Sequence, residues 1–239
     1  MIKRNRFWEI DFLRGFAVIL MIIFHLFFDL KYFLNLNFGS LNYLYILLGK
    51  ITFFLFFLLV GISLRLSYLK KKNFNYYFKR GLFIFSLGLV ISLITYFIIP
   101  SSFIKFGALH FIGFSIILAF IFLRFKYLNL LFGMIFLFFG LFLKSKVFDF
   151  NCLFFLGFKG VGFNSVDYFP IFPYFSLVLF GIFLGNFFYL SSLKRNFKLI
   201  DLSNNFFISK ICFLGKKSLL IYFLHQPIIF LFLFLFGVF

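Results

Sequence analysis

The sequence predicts an all-α protein, a polytopic integral membrane bundle of about seven transmembrane helices forming a single domain over residues 1–239. Three observations predict it. The chain is 64% hydrophobic and only 13% charged, whereas soluble domains are about 45–50% apolar and about 25% charged. Charge-poor runs of bilayer-spanning length recur from end to end. The basic residues, 24 Lys and Arg against 6 Asp and Glu, collect in short segments between those runs rather than on one soluble face, so they speak for membrane topology and against nucleic-acid binding.

The spans fall at 12–30, 44–64, 81–99, 106–123, 127–143, 170–190 and 218–239. Each must be helical, because an open strand in lipid leaves backbone donors and acceptors unsatisfied. The first carries a basic flank but also Arg14, His25 and Asp29 and no small-residue cleavage site, so it is expected to be retained rather than removed as a signal peptide. The stretch 151–162 is apolar but too short and glycine-rich to cross, and is expected to be a re-entrant or surface segment. Pro227 is expected to kink the last helix. Alternating sides divide the basic residues 18 to 6. The positive-inside rule is then met with the amino terminus cytoplasmic and the carboxyl terminus outside. The same alternation puts Cys152 and Cys212 on opposite sides, with no disulfide between them.

Ionisable groups inside spans are costly, so they face the bundle interior and mark candidate function. The first helix is the richest. At about 100° per residue, Arg14 and His25 differ by three turns and about 20°, and lie about 16 Å apart along the axis. Asp11 and Asp29 stand one turn from them, giving one polar stripe, with Phe16, Leu20 and Phe27 elsewhere. A carboxylate one turn from a histidine can orient the imidazole and raise its basicity, which singles out His25 with Asp29. His110 and His225 complete the set, so that all 3 histidines lie inside spans. A capping role for His110 and a packing hydrogen bond for His225 compete with function. No HExxH spacing or cysteine cluster is present, so no metal site is expected. Phosphate-binding, nucleophile-elbow and dinucleotide motifs are also absent.

The segment RFWEIDFLRGFAVILMIIFH holds Arg14, ten further residues, then His25. That pattern resembles the transmembrane acyltransferase superfamily, which includes polysaccharide O-acyltransferases and the heparan-α-glucosaminide N-acetyltransferase group. Within it the chain looks like a small prokaryotic family related to the heparan-α-glucosaminide N-acetyltransferase catalytic domain. The likeness continues in order through FFLFFLLVGISLRLS (53–67), FGALHFIGFS (106–115), DYFPIFPYF (167–175) and GKKSLLIYFLHQP (215–227).

The resemblance implies an enzyme of the cell membrane that moves an acyl group, commonly acetyl, from cytoplasmic acyl-CoA to a sugar hydroxyl or amine of an envelope glycan or glycolipid. His25 would be the catalytic histidine, as general base or acyl acceptor, and Arg14 would help hold the donor. The spacing is compatible: a pantetheine arm is on the order of 15 Å or more, enough to cover the Arg14 to His25 separation of about 16 Å. In that scheme Asp29 orients His25, and Asp11 shares the donor end. Arg80, which opens a span, ranks first among candidate phosphate contacts that include Arg65, Lys70, Lys71, Lys72 and Lys79. His110, Asp167, Tyr222 and His225 are candidate acceptor-binding residues, Asp167 competing with a helix-capping role. The partners are the bilayer and the acceptor, with a homo-oligomer open. A transporter or flippase with proton-relay histidines is the alternative, although no repeat symmetry supports it. A non-catalytic membrane subunit is the third reading.

Overall fold

The computed structural model describes residues 7–34, 39, 41–150, 152–189 and 199–236. They form eight α-helices: α1 Trp8–Leu34, α2 Leu41–Lys70, α3 Phe74–Ile98, α4 Ala108–Phe122, α5 Asn129–Lys144, α6 Ile171–Phe188, α7 Phe206–Lys216 and α8 Ser218–Leu235. Six helical segments are long and apolar enough to cross a membrane, one of them the run Ala108–Lys144 that contains both α4 and α5. The helices overrun the apolar windows at several ends, because helical hydrogen bonding continues into polar flanks once a span has nucleated it. The basic residues before Phe7, together with Lys194, Arg195 and Lys198, lie outside the described residues, as do the ends of the sixth and seventh expected spans.

The run Ala108–Lys144 is not straight. A 3-10 segment, Leu123–Leu128, separates α4 from α5, and Lys126 leaves helical geometry at φ 44°. The Phe122 ring lies 5.4 Å from Phe132 and 5.9 Å from Phe136. On a straight helix, Phe122 and Phe136 would be about 21 Å apart, so the chain folds back on itself. Asn129, fully buried, fastens the bend by donating from Nδ2 to the carbonyls of Phe122 (3.1 Å) and Lys126 (2.8 Å).

Packing gathers the chain into two units, Met1–Leu59 with Lys198–Phe239, and Val60–Phe197. In the first, α7 lies along the opening turns of α1. Gly15 faces the Ile211 backbone and Gly215 faces the Asp11 carbonyl so closely that neither position has room for a Cβ. Small residues that let backbones approach are the usual device for joining helices in lipid. The first half of α2 runs back beside α1, with Tyr45 stacked on Phe24 at 5.1 Å and Lys31 donating to Asn42 at 3.0 Å. Helix α7 falls where the sequence predicts only a basic loop. Its 11 residues are too few to span, and its start is set by Asn205, whose side chain accepts from the Phe207 and Ile208 N–H groups. Helix α8 continues through Pro227.

In the second unit, α3 packs on α4 and α5 on α6. The segments 99–107 and 145–170 meet at one end, where Phe169 N–H donates to the Phe106 carbonyl (2.9 Å) and Val166 N–H to that of Ser102 (2.9 Å). Within 151–162 the only helical feature among the described residues is the short 3-10 turn Phe154–Leu156.

Candidate active site

The polar stripe on α1 faces inward. Asp11 and Asp29 are 4% and 0% exposed, and Val18 and Met21 between them are buried, whereas Phe16 and Phe27 on the opposite face are 41% and 36% exposed. At the opening end, Arg14 and Asp11 form an ion pair at 3.6 Å, so Asp11 meets the guanidinium directly.

Further along, the His25 and His225 rings stand edge to face with centroids 4.5 Å apart. His25 Nδ1 lies 2.9 Å from the Met21 carbonyl, and His225 Nδ1 bonds the Tyr222 carbonyl. A carbonyl only accepts, so each Nδ1 carries the proton and each Nε2 keeps its lone pair. His225 Nε2 is buried with no hydrogen-bond partner among the described residues. The arrangement is two basic nitrogens on facing imidazoles, both tautomers fixed by helix carbonyls one turn back. The Tyr222 ring lies 5.5 Å from His225 and 6.5 Å from Phe56.

The expected pairing of Asp29 with His25 is replaced by another. Both Asp29 oxygens accept from Gln226 Nε2, at 2.7 and 2.9 Å, and the Tyr45 hydroxyl lies within electrostatic reach. The reason is geometric: the His25 ring donates back to Met21, one turn toward the amino terminus, whereas Asp29 lies one turn in the other direction. Gln226 was legible only as the residue after His225. Because Asp29 is fully buried, Gln226→Leu should strand its carboxylate. The expected cost is about 2–3 kcal/mol, the scale of a hydrogen bond to a charged group, and thermal unfolding in detergent checks it, with Asp29→Asn/Gln226→Leu regaining part of the loss.

The third histidine is built the opposite way. Gly107 N–H donates to His110 Nδ1 (3.3 Å), leaving Nε2–H for Ser92 Oγ (3.3 Å), and Ser92 donates to the Ile104 carbonyl. His110 is thus satisfied on both nitrogens while capping α4. Asp167 caps the same helix, accepting from Ala108 N–H at 3.0 Å. The structure places these two together, within the second unit. Arg80 lies in the second turn of α3. An open cleft of ≈ 490 Å³ beside the joined segments is lined by Leu89, Ser92, Phe103, Lys105, Phe154 and Phe163. Among the described residues no group of three or more His, Cys, Asp or Glu can hold a metal ion.

Burial raises the Asp167 carboxyl from 3.8 to about 6, opposed by the Ala108 hydrogen bond. A carboxyl whose folded pKa lies above its unfolded value binds protons better when folded. Stability should therefore fall as pH rises from about 4 to about 6 and level off above. Asp167→Asn should flatten that window and raise the stability at pH 7.5 by about 1–3 kcal/mol, read from unfolding curves between pH 4 and 8.

These features define a multi-pass membrane protein with a paired-histidine site on its first and last helices. The catalytic-domain model of heparan-alpha-glucosaminide N-acetyltransferase matches residues 6–227, and the chain belongs to that family of membrane acetyltransferases, which in general take acetyl-CoA as donor. No curated protein and no solved structure matches the chain.

Proposed function

We propose that this protein is an acyl-CoA-dependent acetyltransferase of the cell membrane, with His25 as general base and a sugar amine or hydroxyl of an envelope glycan or glycolipid as acceptor. The observation that carries the reading is the pair of facing imidazoles with both Nδ1–H groups tied to backbone carbonyls. His25 Nε2 takes a proton from the acceptor as its nitrogen or oxygen attacks the thioester carbonyl. The C–S bond then breaks, and the imidazolium returns the proton to the leaving thiolate. His225 Nε2 supplies a second acceptor for hydrogen. A primary amine has two N–H bonds and satisfies both nitrogens, whereas a hydroxyl satisfies one, which favours the amine. Buried Asp29, paired only with a neutral amide, offsets the cation that develops on His25. Arg14, at the other end of the same ridge, is suited to the donor's phosphates.

The whole chain acts as one domain in this reading, with seven crossings and a cytoplasmic amino terminus. Two features support the count. The bend at Lys126 divides Ala108–Lys144 into two crossings. Within the first unit α8 runs parallel to α1, Tyr222 meeting Phe56 below the level at which Gln226 meets Asp29; first and last helices point the same way only if their number is odd. The 18 to 6 division of basic residues supports the orientation.

The test is transfer of radiolabelled acetyl from acetyl-CoA to a glucosamine-terminated acceptor by protein purified in detergent. Label on nitrogen, lost in His25→Ala, is the expected result. Proton-coupled uptake into liposomes without donor consumption would instead make the protein a transporter.

A further inference from the structure

Arg65 occupies an unusual place in the second unit. Its Cβ and Cγ lie against Gly185 of α6, where a Cβ on that glycine would come within 2.9 and 3.1 Å of them. Its Nε is buried with no hydrogen-bond partner, and no ion pair joins the side chain among the described residues. A half-buried guanidinium with a buried, unpartnered Nε is well placed to take an anion. Among the described residues of the unit none pairs with it: from Val60 to Phe197 the sequence contains only two carboxylates, Asp149 and Asp167. Asp167 precedes the first turn of α6, and Gly185 lies about 21 Å further along that helix. Phenols and further cations lie near Arg65. The hydroxyls of Tyr68 and Tyr127 lie within electrostatic reach of it. Lys72 sits 5.8 Å over the Tyr68 ring, and Arg124 and Lys126 occupy the neighbouring bend.

We infer that Arg65, with Tyr68 and Tyr127, forms a subsite for a phosphate group brought by a ligand. The planar guanidinium presents two parallel N–H bonds to a phosphate, and the phenols add two more donors, a recognition that an ammonium cannot copy. A snorkelling arginine also packs its stem but keeps its charged head in water; here the Nε of the head is buried. The phosphate can belong to the nucleotide of the acyl donor or to the headgroup of an anionic phospholipid. The inference needs no particular role for His25, so loss of one reading leaves the other standing.

The experiment measures binding of coenzyme A, dioctanoyl phosphatidylglycerol and dioctanoyl phosphatidylcholine to the full chain in neutral detergent. Wild type is compared with Arg65→Gln, Arg65→Lys and Lys210→Gln. Arg65→Gln should weaken one anionic ligand by about tenfold and Arg65→Lys by several-fold, with Lys210→Gln, at an exposed position of α7, within about twofold. Without ligand, Arg65→Gln should unfold no earlier than wild type, since it removes a half-buried charge that lacks a counter-ion. A loss confined to coenzyme A assigns the subsite to the donor, and one confined to phosphatidylglycerol assigns it to lipid. Unchanged binding of both ligands overturns the subsite, as does an equal loss from Lys210→Gln or an equal loss for phosphatidylcholine. If Arg65→Gln does not fold, Arg65→Lys decides: binding at the wild-type level overturns it.

Discussion

His25→Ala should lower the rate of acetyl transfer by about a thousandfold, the middle of the range for a positioned general base, while leaving donor binding within a few-fold. The split is expected because Arg14 stands about 16 Å away along α1 and keeps its Asp11 partner. His225→Ala should cost less, on the order of tenfold to a hundredfold. His225 orients the acceptor hydrogen in this scheme rather than removing it, and its loss also opens space beside a ring 4.5 Å away. His110→Gln should leave the transfer rate close to wild type. It lowers the thermal midpoint instead, because His110 joins Gly107 to Ser92 and has no nitrogen to spare. Single-turnover rates with saturating acetyl-CoA separate these cases. If His25→Ala and His110→Gln fell equally in rate and equally in thermal midpoint, His25 would be a packing residue.

The second large effect is on folding. Gly215→Leu and Gly15→Leu each push a side chain into a facing backbone rather than into another side chain: the Asp11 carbonyl for Gly215, the Ile211 carbonyl for Gly15. Backbone cannot rotate aside, so α7 must leave α1. The expected cost is at the upper end of the overpacking range, about 3 kcal/mol or more. The two cysteines provide the measurement. Cys152 is exposed and Cys212 is buried, its Sγ 3.4 Å from the Trp8 carbonyl, and burial further raises its thiol pKa. Maleimide should therefore label wild type once and quickly, at Cys152. In Gly215→Leu a second label should appear at Cys212 at a comparable rate. Phe213→Leu, which changes a residue 60% exposed, should leave the single label unchanged. A Gly215→Leu protein that still protects Cys212 would show that the close approach is dispensable.

Much of this architecture was legible because membrane insertion depends on local quantities. Length and hydrophobicity mark a span without reference to any other part of the chain, and the break at Arg124 and Lys126 was visible as charge between two apolar runs. The inward turn of the α1 ridge was legible for the same reason, since burial follows the helical period. What escaped depends on partners distant in sequence. Gln226 reaches Asp29 across 197 positions, and no spacing rule would have chosen it over His25. The tautomers were hidden too. His25 and His225 take a carbonyl one turn back, whereas His110 takes an N–H at a helix start, and only the fold says which. Helix α7 was missed because a search for spans discards 11-residue helices. Arg80 was legible as the arginine that opens a span; the packing of the Arg65 stem was not, because the glycine that receives it lies 120 residues away in sequence.

The hairpin at Lys126 has short arms. Helices α4 and α5 contain 15 and 16 residues, or about 23 and 24 Å of rise, against a hydrocarbon layer of about 30 Å. If each arm crosses separately, as proposed above, the mismatch is relieved by drawing the two leaflets together around the short helices, at a fraction of a kcal/mol for each ångström, and lipids with short acyl chains fit that dimple without deformation.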